Sequence, residues 1–75
     1  MGWEREGTLF YDMESDRYDI RFGLEEYYGG LHCGDCFAIK VKNAWIPVRI
    51  EFDWEKEEWY LVGLHTKQDG MTVRI

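Results

Sequence analysis

Hydrophobic and polar side chains alternate along most of this chain with the period of two that is typical of β-strands. The clearest case is the segment Arg17-Tyr18-Asp19-Ile20-Arg21-Phe22, in which every second side chain is apolar. Segments 7–12, 37–42, 45–52, 58–64 and 71–75 show similar patterns and are separated by turn-forming residues. No segment carries a sustained helical period, although a short helical turn fits around Glu25 to Tyr27. The pattern therefore predicts an all-β fold of short strands.

The order of these segments narrows the fold further. An early strand is followed by a glycine-punctuated loop, and then by Gly34-Asp35 directly before a strand. A strand that begins with Trp45, a Trp-Tyr strand and a short final strand complete the chain. This order resembles an SH3-like barrel, in which residues 31–37 would form the diverging turn. We predict a small SH3-like barrel of five to six antiparallel strands, in a single domain over residues 1–75 with a flexible N-terminus over 1–6.

The alternation also assigns a buried face to each strand. Pro47 lacks the N–H that a sheet ladder needs, so the strand that contains it is expected to have an edge or a bulge at that position. The apolar residues predicted to fill the core are Tyr18, Ile20, Phe22, Phe37, Ile39, Val41, Ile46, Val48, Ile50, Phe52, Val62 and Val73.

The charge balance excludes some classes of function. The formal net charge is −6, with fifteen acidic and nine basic residues. Nucleic-acid binding usually requires the opposite balance, because phosphates must be neutralised. The N-terminus has no apolar run typical of a signal peptide, and no stretch has the length of a transmembrane segment. We expect a cytoplasmic protein that binds neither nucleic acid nor membrane.

At the level of individual residues, the chain resembles a bacterial family of small domains of unknown function, number fifty-three forty-eight. The resemblance extends over the chain past residue 6 and is most specific in the run YYGGLHCGDCF at 27–37; RYDIRF at 17–22, WIP at 45–47 and WYLVG at 59–63 add to it. It implies a free-standing accessory protein, encoded mainly in Firmicutes and often near mobile elements. It brings no reaction, ligand or catalytic residue with it.

The run His32-Cys33-Gly34-Asp35-Cys36 is the one cluster that resembles a metal site. Two thiolates spaced two residues apart can bind one zinc ion from a turn, but a structural site needs four ligands. The further candidate ligands are His32, His65 and Asp35, and of these His32 and His65 would complete a site with Cys33 and Cys36. The favoured interpretation is a glycine turn with free thiols, without metal or cofactor, and zinc binding stays as an alternative.

Catalytic interpretations are weaker. Cys36 leads directly into a strand and not into a helix whose N-terminus would activate a dithiol. Adjacent residues such as His32 and Cys33 often point apart, which makes a nucleophile and base pair unfavourable. The carboxylates have no distinctive spacing, and a chain of this length has little room for a deep pocket. We predict that the protein is not an enzyme.

The surplus of large aromatic residues is the stronger indication of function. Aromatic residues make up 17% of the chain, more than the predicted core requires. Exposed rings that cluster together often form an interface. The residues predicted to form a protein-binding surface are Tyr27, Tyr28, Trp45, Pro47 and Trp59, with Glu25, Glu26 and Glu58 favouring a basic partner.

Other interpretations remain open at this point. Trp45 and Trp59 could instead pair across a hairpin as structural packing. The acidic residues could mimic nucleic acid and inhibit a DNA-handling protein. Self-association as a weak homodimer is the alternative to a monomer.

Overall fold

The computed structural model describes residues 5–65 and 70–75, and it contains six β-strands in this part of the chain. They are β1 (Glu6–Asp12), β2 (Arg17–Arg21), β3 (Cys36–Val41), β4 (Ala44–Asp53), β5 (Glu58–Val62) and β6 (Thr72–Arg74). All pairs are antiparallel, and the strands form one sheet in the order β2-β1-β6-β3-β4-β5. The sheet curls into a half-barrel, which confirms the predicted all-β class and small barrel.

The curl brings the two edge strands, β2 and β5, towards each other. The indole N–H of Trp59, on β5, donates to the backbone carbonyl of Asp16, which directly precedes β2, over 3.3 Å. The segment between β2 and β3 covers the free edge of β2. Within it Tyr28 and Leu31 donate backbone N–H groups to the carbonyls of Ile20 and Tyr18. The described part of this segment contains no helix, so the helical turn expected near Glu25 is absent.

The hydrophobic core lies inside the curl, and most of it was predicted. Leu9 and Leu31 are fully buried although they were not among the predicted core residues. The prediction was wrong for Val62, which is 39% exposed while its neighbour Leu61 is 3% exposed. The turn between β4 and β5 explains the change of phase, because it sets Ile50 opposite Leu61 and so places Leu61 on the core face.

Pro47 lies in a central strand, at a point beyond the last residue pair that β4 forms with β5. Ile50 exchanges backbone hydrogen bonds with Gly34 and Asp35 on the β3 side of β4. Because alternate residues of an antiparallel strand bond to opposite neighbours, the Pro47 nitrogen faces the β5 side. The β4–β5 register ends at the pair Arg49 and Val62. The missing N–H of Pro47 therefore falls beyond the end of the β4–β5 pairing, where Gly63 lies so close that a Cβ atom on it would be 2.8 Å from the Pro47 carbonyl oxygen.

The carboxylate of Asp19 fixes the glycine-rich loop against β2. Asp19 is only 7% exposed, and its Oδ1 accepts the backbone N–H groups of Ile20, Gly29 and Gly30 at 2.8, 3.0 and 2.8 Å. Gly29 and Gly30 have φ angles of 108° and 102°, which side chains other than glycine rarely adopt. Asp19 is thus a structural acceptor that positions the loop.

The last two residues of the N-terminus for which flexibility was predicted, Arg5 and Glu6, pair with the C-terminal end of the chain. Arg5 exchanges two backbone hydrogen bonds with Ile75, and Glu6 is in register with Arg74 on β6. Residues 1–4 lie outside the described part, as do residues 66–69 of the loop predicted after His65. Within the described ranges, no helix is long and apolar enough to cross a membrane.

Candidate functional site: an aromatic groove between two hairpin turns

Two hairpin turns of the same design lie side by side at one end of the half-barrel. The β1–β2 turn follows Asp12, whose carboxylate accepts the N–H of Glu14 at 3.0 Å. The β4–β5 turn follows Asp53, whose carboxylate accepts the N–H of Glu55 at the same distance. Each turn ends in a residue with positive φ, 58° at Asp16 and 54° at Glu57. The local sequences are therefore two versions of one four-residue turn.

An aromatic pair closes each hairpin beneath its turn. Tyr11 lies opposite Tyr18 with 5.1 Å between ring centroids, and Phe52 lies opposite Trp59 at 5.0 Å. Both pairs have edge-to-face geometry, with interplanar angles of 71° and 69°. Such pairs stabilise the hairpins beyond the area that they bury.

A groove of about 520 Å³ runs between the two turns, and we call it the aromatic groove. Phe52 lies between the rings of Trp54 and Trp59, 4.7 and 5.0 Å from their centroids. Trp54 is 79% exposed, whereas Trp59 is half-buried against the core. The residues that line the groove are Ser15, Asp16, Arg17, His32, Cys33, Phe52, Trp54 and Trp59.

Arg17 supports one wall of this groove. Its guanidinium donates to the backbone carbonyl of Leu31 at 2.9 Å and lies 5.8 Å from the centre of the Trp59 ring. Its contacts join β2, the glycine-rich loop and β5, and the Trp59–Asp16 hydrogen bond is a further connection across the groove. A preformed apolar groove loses little conformational entropy when a ligand binds.

The structure does not bring the predicted surface residues together. Trp45 lies opposite Lys40, and the guanidinium of Arg74 stacks on its ring at 4.1 Å. Pro47 is on the same face of β4 as Trp45, two residues further on, whereas Trp59 shares the opposite face with Phe52. Trp45 and Trp59 therefore do not pair across a hairpin.

The tyrosines and glutamates of that prediction are also spread over the molecule. Tyr27 is 48% exposed and packs against Phe10 at 5.8 Å, beside a separate depression. Tyr28 is exposed on the glycine-rich loop, next to that depression but not among its lining residues. Glu25 is exposed on the loop after β2, and Glu26 forms an ion pair with Arg5 at 2.8 Å. Of the predicted set, Trp59 and Glu58 meet at the hairpin turns.

The predicted zinc ligands do not converge. In the part of the chain that the structure describes, which includes His32, Cys33, Cys36 and His65, no three such side chains could hold one metal ion. Cys33 and Cys36 are both exposed free thiols. Asp35 accepts the backbone N–H of His32 at 2.9 Å, so it closes the turn. The geometry fits a glycine turn.

Part of the acidic charge is neutralised away from the groove. Glu6 and Glu51 form ion pairs with Arg74 and Arg49 at 3.0 and 2.7 Å. The acids of the two hairpin turns form a separate group at the groove end: Asp12, Glu14, Asp16, Asp53, Glu55, Glu57 and Glu58. The negative charge is therefore concentrated around the groove.

Sequence reasoning missed Phe52, Trp54 and the pairing of the two turns. Phe52 is in the predicted core, and Trp54 is not in the predicted binding surface. The available signal was the similarity of YDMESDRY at 11–18 to FDWEKEEW at 52–59. Both have an aromatic residue, aspartate, a large apolar residue and glutamate in succession.

The fold and the groove define a small all-β barrel of the SH3-like type with an aromatic surface at one end. The chain belongs to the family described as "Domain of unknown function (DUF5348)", which it matches over residues 7–75. It is similar to a protein from Ruminococcus gnavus of known crystal structure, with 62% sequence identity and a TM-score of 0.89. The alignment covers 95% of this chain and 100% of that one. The curated proteins searched contain no match.

Proposed function

We propose that this protein is a non-enzymatic binding module, and that it holds a basic segment of another protein in the aromatic groove. The observation that carries the proposal is the exposed Trp54 at the mouth of a groove walled by Phe52 and Trp59. Tryptophan residues in such positions are frequent hot spots of protein interfaces, because a single ring buries a large area on binding.

The shape of the groove supports a polypeptide ligand. It is open at the surface between two turns, and its rings present apolar faces to a chain lying across them. Trp54 is 79% exposed and makes an edge contact with Phe52, so most of its surface is available to a partner. An extended segment with one large apolar side chain fits such a groove.

The charge around the groove supports a basic partner. The turns on both sides carry Glu14, Asp16, Glu55 and Glu57, which Arg17 and Lys56 only partly balance. Complementary charge raises the rate of association and discriminates against acidic partners.

The expectations of a role near mobile elements and of a cytoplasmic location stay predictions.

Selection from a library of random displayed peptides, with the folded protein as bait, tests the proposal. We expect enrichment of peptides that combine Lys or Arg with a large apolar residue, and loss of their binding to Trp54→Ala. Leu24→Ala is the matched control, because Leu24 is 85% exposed and lines a different depression. Peptides that bind Trp54→Ala as well as the wild type, or no enrichment at all, would overturn the proposal.

A further inference from the structure

A second depression adjoins the aromatic groove on the other side of Trp59, and we call it the aromatic cage. Its volume is about 420 Å³. Its walls are the two ring pairs that close the hairpins, Tyr11 with Tyr18 and Phe52 with Trp59. These four rings come from four strands, and the curl of the sheet brings them to one place.

The charged residues that line the aromatic cage are all acidic. They are Asp16, Glu57 and Glu58, and no basic side chain is among the lining residues. The ion pairs found in the described ranges involve other carboxylates, those of Glu6, Glu26, Asp35 and Glu51. The aromatic cage is therefore lined by aromatic rings together with three acidic residues that take part in none of these ion pairs.

Turn geometry places the backbone of two of these acidic residues in matching positions. Asp16 and Glu57 occupy equivalent places, each as the positive-φ residue that ends its turn. The Asp16 backbone carbonyl also accepts the indole N–H of Trp59, which ties this acid to the ring beside it. Aromatic faces carry negative electrostatic potential, so rings and carboxylates both favour a cation in this space.

We propose that the aromatic cage binds the side-chain cation of an arginine residue in the basic partner segment. A guanidinium is planar, stacks on aromatic rings and donates to two carboxylates at once, so it suits this combination better than a compact ammonium. Trp59 already faces one guanidinium, that of Arg17, on the side of the groove. This inference rests on the proposed function, since it identifies the residue that the partner places beside the aromatic groove.

The test is a titration of the ¹⁵N-labelled 75-residue protein with N-acetyl-arginine amide, followed by nuclear magnetic resonance. N-acetyl-citrulline amide is the control probe, because citrulline has nearly the shape of arginine without the charge. We expect saturable shifts at Tyr18, Glu57 and Trp59 with the arginine probe, and binding at least about 5-fold weaker with citrulline. Glu57→Gln and Glu58→Gln should each weaken arginine binding about 2- to 5-fold. Glu55→Gln, which removes one charge from the same turn outside the cage, should leave it unchanged.

Equal shifts with arginine and citrulline, or shifts that map elsewhere, would overturn the cage assignment. This failure can be distinguished from failure of the proposed function. In one outcome, the selected peptides require Trp54 for binding but contain no arginine, and the arginine probe does not bind. Peptide binding at the aromatic groove is then supported, and the assignment of the aromatic cage is wrong. If the arginine probe binds at the cage but no peptide depends on Trp54, the proposed function is wrong.

Discussion

Trp59 donates its indole N–H to the backbone carbonyl of Asp16 over 3.3 Å, and this bond joins residues that are 43 positions apart in sequence. It connects the β4–β5 hairpin to the β1–β2 turn across the open side of the half-barrel. The strands on the two sides, β2 and β5, are the edges of the sheet and are not paired with each other. The bond therefore supports both the closure of the barrel and the common wall of the groove and the cage.

Replacing Trp59 by phenylalanine should lower the free energy of unfolding by about 1 to 2 kcal/mol, because the hydrogen bond and part of the ring contact are lost. Urea unfolding followed by circular dichroism measures the change. Trp54→Phe is the matched control and should stay within about 0.5 kcal/mol of the wild type, since Trp54 is mostly exposed. Equal effects of the two substitutions would contradict the closing role of Trp59.

Gly7 lies where β1 passes so close to β2 that no side chain fits. A Cβ atom there would lie 2.5 Å from the backbone oxygen of Arg21 and 2.7 Å from a methyl carbon of Ile20. Gly7→Ala should therefore destabilise the protein by about 2 kcal/mol or more. At Gly23 the nearest atom to such a Cβ would be 3.6 Å away, and Gly23→Ala should change stability by less than about 0.5 kcal/mol. Thermal and urea unfolding of both variants check this; a mild effect at Gly7 would show that the register of β1 and β2 differs.

Removing the Asp19 carboxylate should release the glycine-rich loop from β2. Asp19→Ala leaves three backbone N–H groups without their acceptor, and we expect a loss of about 3 kcal/mol. Asp19→Asn keeps an oxygen acceptor and should cost less. Hydrogen exchange at the amides of Gly29 and Gly30 should accelerate in the alanine variant. Unchanged exchange there would argue against the assigned role.

The two cysteines should be dispensable for folding. Both are exposed, and the described residues bring no three donors together around a metal. The double variant Cys33→Ser with Cys36→Ser should keep its unfolding free energy within about 0.5 kcal/mol. Addition of a chelator to the wild type should not change its Tm. Stoichiometric zinc in the purified protein, together with a chelator-induced loss of Tm, would restore the metal interpretation.

The strands could be predicted from the sequence because alternation and turn residues act locally. Which side chains of β5 face the core could not be predicted from the sequence. Four successive residues of this strand, Trp59, Tyr60, Leu61 and Val62, are all apolar and show no alternation. The register across the 54–57 turn determines which side chains of β5 face the core, because it sets Phe52 opposite Trp59. For the same reason the predicted surface combined residues from two faces of β4 and β5.

The aromatic groove could not be predicted from the sequence for a different reason. Trp59 and Asp16 meet only because the whole sheet curls, and no local pattern shows how far it does so. The matching turns at 11–18 and 52–59 indicate two similar hairpins, but not that these lie side by side. Contacts between sheet edges depend on the complete strand order, which emerges from the three-dimensional structure.

The proposed function places the partner at the aromatic groove and not at the face that carries Trp45. The indole N–H resonances in a ¹H–¹⁵N spectrum, assigned with single Trp→Phe variants, report on each tryptophan separately. On addition of a peptide selected as described above, we predict that the signals of Trp54 and Trp59 shift with a common saturation curve while that of Trp45 stays in place. A shift of the Trp45 signal, with those of Trp54 and Trp59 unchanged, would show that the partner binds at the other face.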